Sequence, residues 1–159
     1  MATTFSRRVL DYRDWPAVIA DVERLGRDGY SKVGRWDLSQ TCDHLADWLT
    51  FPLDGFPPTP APIRLMLWTL GKLVGRKALR KTLATRSMPG GAPTIPVTVH
   101  QSGGNAAEAV ERLRTAISRF QAHSGKFYPS PIFGHLDRET ISQLQLIHCA
   151  HHLSFLAPS

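Results

Sequence analysis

Apolar residues recur along this chain at helical spacing in five stretches, separated by polar or Pro/Gly-rich breaks. The first predicted helix opens on an N-cap at Asp14 and runs to Leu25, with Val18, Ile19, Val22 and Leu25 on one face. The second opens at Asp37-Leu38-Ser39-Gln40, where an Asp at the N-cap and a Gln three residues on have the spacing of a capping box. It is expected to reach Thr50, because Pro52, Pro57, Pro58, Pro60 and Pro62 then remove the amide donors a helix needs. The third spans Ile63 to Leu83 and is weakened in its middle by Gly71 and Gly75. The fourth starts at Asn105, with Glu108 three residues on, and carries the stripe Ala109, Val110, Leu113, Ala116, Ile117 and Phe120. The fifth begins at Asp137 and runs almost to Leu156. No strand pair is expected. Two long irregular loops, Ala84–Gly104 and His123–Leu136, remain, and loops of that length are commonly functional or packed down as lids. The pattern reads as an all-α bundle.

Composition narrows this further. A chain of 159 residues with 42% apolar and 20% charged residues is a single globular domain, here 1–159, able to bury a core without disulfide or metal. Its longest apolar stretch, Ile63 to Val74, is broken by Arg64 and Lys72 and falls short of the roughly 20 residues that span a bilayer. Arg7 and Arg8 are followed by Asp11, Arg13 and Asp14 rather than an apolar run, so no signal peptide is expected. Two cysteines, Cys42 and Cys149, cannot build a disulfide scaffold and read as small core residues of a cytoplasmic protein.

The net charge of +6 is uneven. Between Asp54 and Glu108 there is no acidic residue, whereas Arg64, Lys72, Arg76, Lys77, Arg80, Lys81 and Arg86 are basic. Such a block suits phosphates, an anionic membrane surface or an anionic small molecule, or is simply a solvated helix face. Trp68 is the only aromatic residue among these cations, which is poor provision for stacking on bases and disfavours nucleic acid.

Histidine placement carries the chemistry. His148 and His152 lie one turn apart and about 40° around the last helix, in a stripe shared with Ile141, Leu144 and Phe155. The helix is apolar on nearly every side, so both imidazoles are expected to be buried. Buried imidazoles need partners, and a divalent metal satisfies both at once; a hydrogen-bonded core pair is the other reading. Cys149 stands where a zinc peptidase carries its general-base Glu, so that motif is absent. His44 is the best third ligand, since it lies near Trp48 at the edge of the second helix's apolar stripe. Asp47, one turn on, reads as a fourth ligand, an orienting carboxylate, a general base or a plain surface residue. His100, His123 and His135 fall in predicted loops and read as solvated or locally hydrogen-bonded.

This arrangement resembles the DinB-like superfamily of metal-binding helical bundles, and more closely a bacterial branch of it without known function. Three stretches carry the likeness: Trp36-Asp37-Leu38-Ser39-Gln40-Thr41-Cys42-Asp43-His44-Leu45, Met88-Pro89-Gly90-Gly91-Ala92-Pro93, and Phe133-Gly134-His135-Leu136 leading into Ile147-His148-Cys149-Ala150-His151-His152-Leu153. Ile141 departs from the branch, where Trp is common, as do Ser154-Phe155, where relatives carry a polar pair ending in Gln. The resemblance implies a four-helix bundle with an extra short helix or long loops, and His44, His148 and His152 as ligands of a divalent metal; three imidazoles suit zinc, nickel, iron and copper alike, with zinc or nickel expected first and iron next. It also implies kinship with transferases and isomerases that use low-molecular-weight thiols.

The expected function is therefore a metal-dependent enzyme, a transferase or hydrolase, acting on a small-molecule substrate with such a thiol. An anionic thiol suits the basic segment, with Arg76, Arg80 or Arg86 near the mouth of the site. A non-catalytic metal or small-ligand module is the alternative. An anionic-surface or nucleic-acid binder working through the basic third helix is a further one. A homodimer is compatible with so small a bundle but has no motif of its own.

Overall fold

The computed structural model describes residues 6–90 and 94–159. Residues 91–93 of the Met88–Pro93 motif, and residues 1–5 of the N-terminal stretch, lie outside the described residues. Four helices share one core: α1 (Trp15–Asp28), α2 (Leu38–Asp54), α5 (Ala106–Ala122) and α6 (Arg138–Leu153). Between α2 and α5 the chain forms α3 (Ala61–Leu70), a π-helical turn (Gly71–Gly75) and α4 (Arg76–Thr85), one uninterrupted rod outside that core. Among the described residues no helix is long and apolar enough to cross a membrane.

The caps sit where local chemistry puts them. Asp14 accepts from the Ala17 amide at 2.9 Å. Asp37 Oδ1 accepts from the Gln40 amide at 2.9 Å while Gln40 Oε1 accepts from the Asp37 amide at 3.1 Å, closing the capping box in both directions. Asn105 and Asp137 cap α5 and α6 in one direction only, their side-chain oxygens accepting from first-turn amides. From these starts Val18, Val22 and Leu25 of α1 face Leu45 and Leu49 of α2, Leu113, Ile117 and Phe120 of α5, and Leu146 and Leu153 of α6. Each fully buried Leu, Ile or Phe contributes roughly 1.5–3 kcal/mol by leaving water.

Three expectations are corrected. Helix α2 does not stop at Thr50 but runs through Pro52 to Asp54. Proline at 52 removes the amide that would bond the Trp48 carbonyl, and the Gln145 side chain of α6 supplies the missing donor at 2.8 Å. The rod begins before Ile63, at Ala61, because Pro62 lies in its first turn, where no amide donor is needed. Helix α6 stops at Leu153, and Leu156–Pro158 (β2) pairs antiparallel with Tyr30–Lys32 (β1), Ser31 facing Ala157. That short ribbon ties the end of the chain to the α1–α2 connection.

Gly71 and Gly75 have a reason beyond helix propensity. A Cβ on Gly71 would stand 2.2 Å from the carbonyl oxygen of Ile132, and one on Gly75 3.2 Å from the same atom. The backbone of the second long loop lies against the rod there.

Candidate functional site

His44 comes from the middle of α2, and His148 and His152 from the last two turns of α6. Each offers one nitrogen to a group whose donor atoms all lie within 4.8 Å of one another. His44 is buried at 2% exposure, whereas His148 and His152 are half-buried, not sealed as expected, because their face opens on a cavity of about 250 Å³. Trp48, Thr82, Met88 and Phe133 line that cavity with them.

The tautomer of His44 follows from its partner. The Thr98 carbonyl oxygen lies 3.1 Å from Nδ1, and a carbonyl only accepts, so Nδ1 carries the proton. In a neutral ring Nε2 is then bare, and it points at Nε2 of His148 at 3.3 Å. Two facing nitrogens need either a proton on His148 or a cation between them. For imidazoles bound tetrahedrally at about 2.0–2.1 Å, neighbouring nitrogens stand about 3.3–3.4 Å apart, the spacing of the His44–His148 pair, while the three donor atoms together lie within the looser limit of 4.8 Å.

Every ring is held neutral at pH 7. Burial pushes His44 down to about 4, against a partial offset from the Thr98 carbonyl and Asp47. Burial, then the field of His44, pushes His152 down to about 2. Burial and the neighbouring His152 and His44 hold His148 well below its ordinary value. Neutral imidazoles present lone pairs, the form a metal requires.

Aromatic rings frame the cluster. Trp36 stacks nearly parallel on His152 with centroids 5.2 Å apart and leans on His44 at 4.8 Å. Trp48 meets His148 edge-on at 5.5 Å, and its buried indole Nε1–H has no acceptor among the described residues. His151 lies beside His152 at 4.9 Å, with its Nδ1 3.0 Å from the Arg7 guanidinium.

The first long loop is strapped along α2 over the site. Asp37 Oδ2 accepts from the Gly103 amide at 2.7 Å, the Gln40 amide group donates to the His100 carbonyl at 2.7 Å, and Thr98 is fully buried against His44. Asp47 completes the strap. Its Oδ2 accepts from His100 Nε2 at 2.7 Å, and its Oδ1 from Arg112 of α5, which also reaches Asp43 at 3.0 Å. His100 is therefore a long-range partner of Asp47, not the solvated or locally bonded residue expected from its loop. Trp36, Thr98, His100 and Arg112 escaped the sequence reading. Only Trp36, next to the N-cap of the histidine-bearing helix, left a local trace.

Cations at the mouth are also corrected. Arg86 donates to Asp11 at 2.5 Å and to the Tyr12 carbonyl at 2.6 Å, and Arg76 lines a different cavity, against Pro129–Gly134. Neither these nor Arg80 lines the histidine cavity.

A mostly helical domain with a three-histidine cluster thus defines the class of protein. The chain belongs to the family described as "Protein of unknown function (DUF1569)", whose model matches residues 4–159. No curated protein and no solved structure matches it.

Proposed function

We propose that this chain is a divalent-metal-dependent enzyme of the DinB-like, four-helix-bundle kind, with His44, His148 and His152 as ligands and a small molecule as substrate. The observation that carries this reading is the pair of Nε2 atoms of His44 and His148, 3.3 Å apart, with the His44 nitrogen left bare by the Thr98 bond. Three neutral imidazoles suit zinc, nickel or iron. Three protein ligands beside an open cavity are the pattern of a catalytic site, whereas structural zinc sites are closed by four. When bound, such a cation supplies a Lewis acid that lowers the pKa of a coordinated thiol or water.

The residues of this chain do the rest. Thr98 fixes the His44 ring with Nε2 inward, and Trp36 holds His152 by stacking. Asp47 is a positioning residue, acting on His44 through His100 and the strap that bears Thr98. Met88 and Phe133 give the cavity apolar walls beside the imidazoles. A low-molecular-weight thiol as cosubstrate follows from the DinB-like resemblance.

The test is turnover of a panel of electrophiles with small thiols by zinc- or nickel-loaded protein. The reading expects thiol-dependent consumption that His44→Ala abolishes while its helical circular dichroism persists. Equal turnover by native protein and His44→Ala would sink it.

A further inference from the structure

The rod of α3, the π-turn and α4 leaves an outer face that nothing in the described residues covers. Leu65, Thr69, Leu73 and Lys77 follow one another at four-residue spacing on the side away from Gly71 and Gly75, which face the Ile132 carbonyl. Leu73 is 76% exposed and Leu65 64%, and Met66, Leu70 and Val74 are also in the open. Helix α3 buries none of its residues. A single exposed leucine is ordinary, but a contiguous apolar helix face marks an interaction site.

The charge on this rod says what kind of surface fits. Arg64, Lys72, Arg76, Lys77, Arg80 and Lys81 are exposed, and among the described residues none forms an ion pair. No acidic residue occurs between Asp54 and Glu108, so the face carries no carboxylate of its own. Lys72 and Arg76, one turn apart, lie with Trp68 on the inner side, where they border a cavity of about 680 Å³ between the rod and Pro129–Gly134, which leaves Lys77, Arg80 and Lys81 to the outer face.

We propose that the outer face of this rod docks on an anionic lipid bilayer and lies in its interface. Leu65, Met66 and Leu73 enter the boundary of the acyl chains, and Lys77, Arg80 and Lys81 meet the lipid phosphates. Interfacial helices combine apolar insertion with basic flanks in this way, and each cation near an anionic surface adds to the attraction. A duplex nucleic acid would use the cations but leave the leucines without a role. A second copy of the chain would cover the leucines but set one all-basic rod against another. Thr82 on the rod's inner side lines the histidine cavity, so docking leaves that cavity behind the rod, about one helix diameter from the bilayer.

The experiment is co-sedimentation of the full chain with vesicles of equal parts phosphatidylcholine and phosphatidylglycerol, and with phosphatidylcholine alone, across a salt series. Binding to the mixed vesicles should be at least about tenfold tighter and weaken as salt rises. Leu65→Ser/Leu73→Ser should reduce it by about tenfold or more, with circular dichroism and metal content unchanged, since both side chains are exposed. No binding to anionic vesicles at low salt would overturn the proposal. So would equal binding by the double variant, or duplex DNA binding as tight as vesicle binding and indifferent to the leucines. A dimer in sedimentation analysis that the same variant splits, without vesicle binding, would assign the face to self-association instead.

Discussion

His44 donates its Nδ1–H to the carbonyl of Thr98, 3.1 Å away and 54 residues later in the chain. The candidate ligand nitrogen of α2 is therefore oriented by a loop, and that loop is held by Asp47 through His100. Groups that orient a metal-bound imidazole typically cost 10–100-fold in affinity when removed, an effect of about that size being expected here. His100→Ala and Asp47→Asn should each weaken zinc binding by roughly tenfold, and together by little more than one alone, because both act on one strap. Competition titrations with a chromophoric chelator measure this. Additive losses would mean that Asp47 acts on the site by another route.

Acid should weaken the metal-free fold in a defined window. His44 has its folded pKa pushed down to about 4 from 6.5 by burial, so the unfolded chain binds more protons than the native one between those values. Stability is then fully present above pH 6.5 and is lost as pH falls toward 4, by on the order of 3 kcal/mol from His44 alone. His148 and His152, lowered in the same direction, extend the loss to lower pH. Denaturant titrations of chelator-treated protein at intervals from pH 7 to about 4 read it out. A flat profile would contradict the burial of these imidazoles.

Pro52 and Gln145 are coupled through the Trp48 carbonyl. Gln145→Leu should cost about 1 kcal/mol or somewhat more, because it leaves that part-buried acceptor without its partner. In a Pro52→Ala background the same change should cost much less, since residue 52 then carries the amide that bonds it. A double-mutant cycle without coupling would show that Gln145 serves only packing.

Gly71→Ala and Gly75→Ala should part company. Alanine at 71 drives a Cβ into the Ile132 carbonyl, and the shift needed should outweigh the roughly 1 kcal/mol that helix propensity returns. At 75 the approach is 3.2 Å, so a small adjustment suffices and the net change should be within about 1 kcal/mol of zero. Thermal unfolding of the two variants compares them directly.

What was legible in the chain was what depends on neighbours in sequence. The caps at Asp14, Asp37, Asn105 and Asp137 and the stripes of α1 and α5 follow from contacts a few residues apart. The His148–His152 spacing is likewise a property of one helix. What escaped needed partners far along the chain. Pro52 looked like a terminator because Gln145, which replaces its missing donor, lies on another helix. The β1–β2 ribbon has three residues a side, too few for an alternating pattern to register. The Asp47–His100 bond joins a helix to a loop, and nothing in either segment names the other.

Whether His44, His148 and His152 hold a metal is decided by elemental analysis. The protein, purified without a histidine tag or chelator, is compared with His148→Ala/His152→Ala. About one divalent ion per native chain is expected, as befits one three-histidine site, and none in the variant, with the same helical circular dichroism for both. Native protein that stays metal-free after incubation with zinc, nickel or iron, or a variant that keeps its metal, would contradict that assignment.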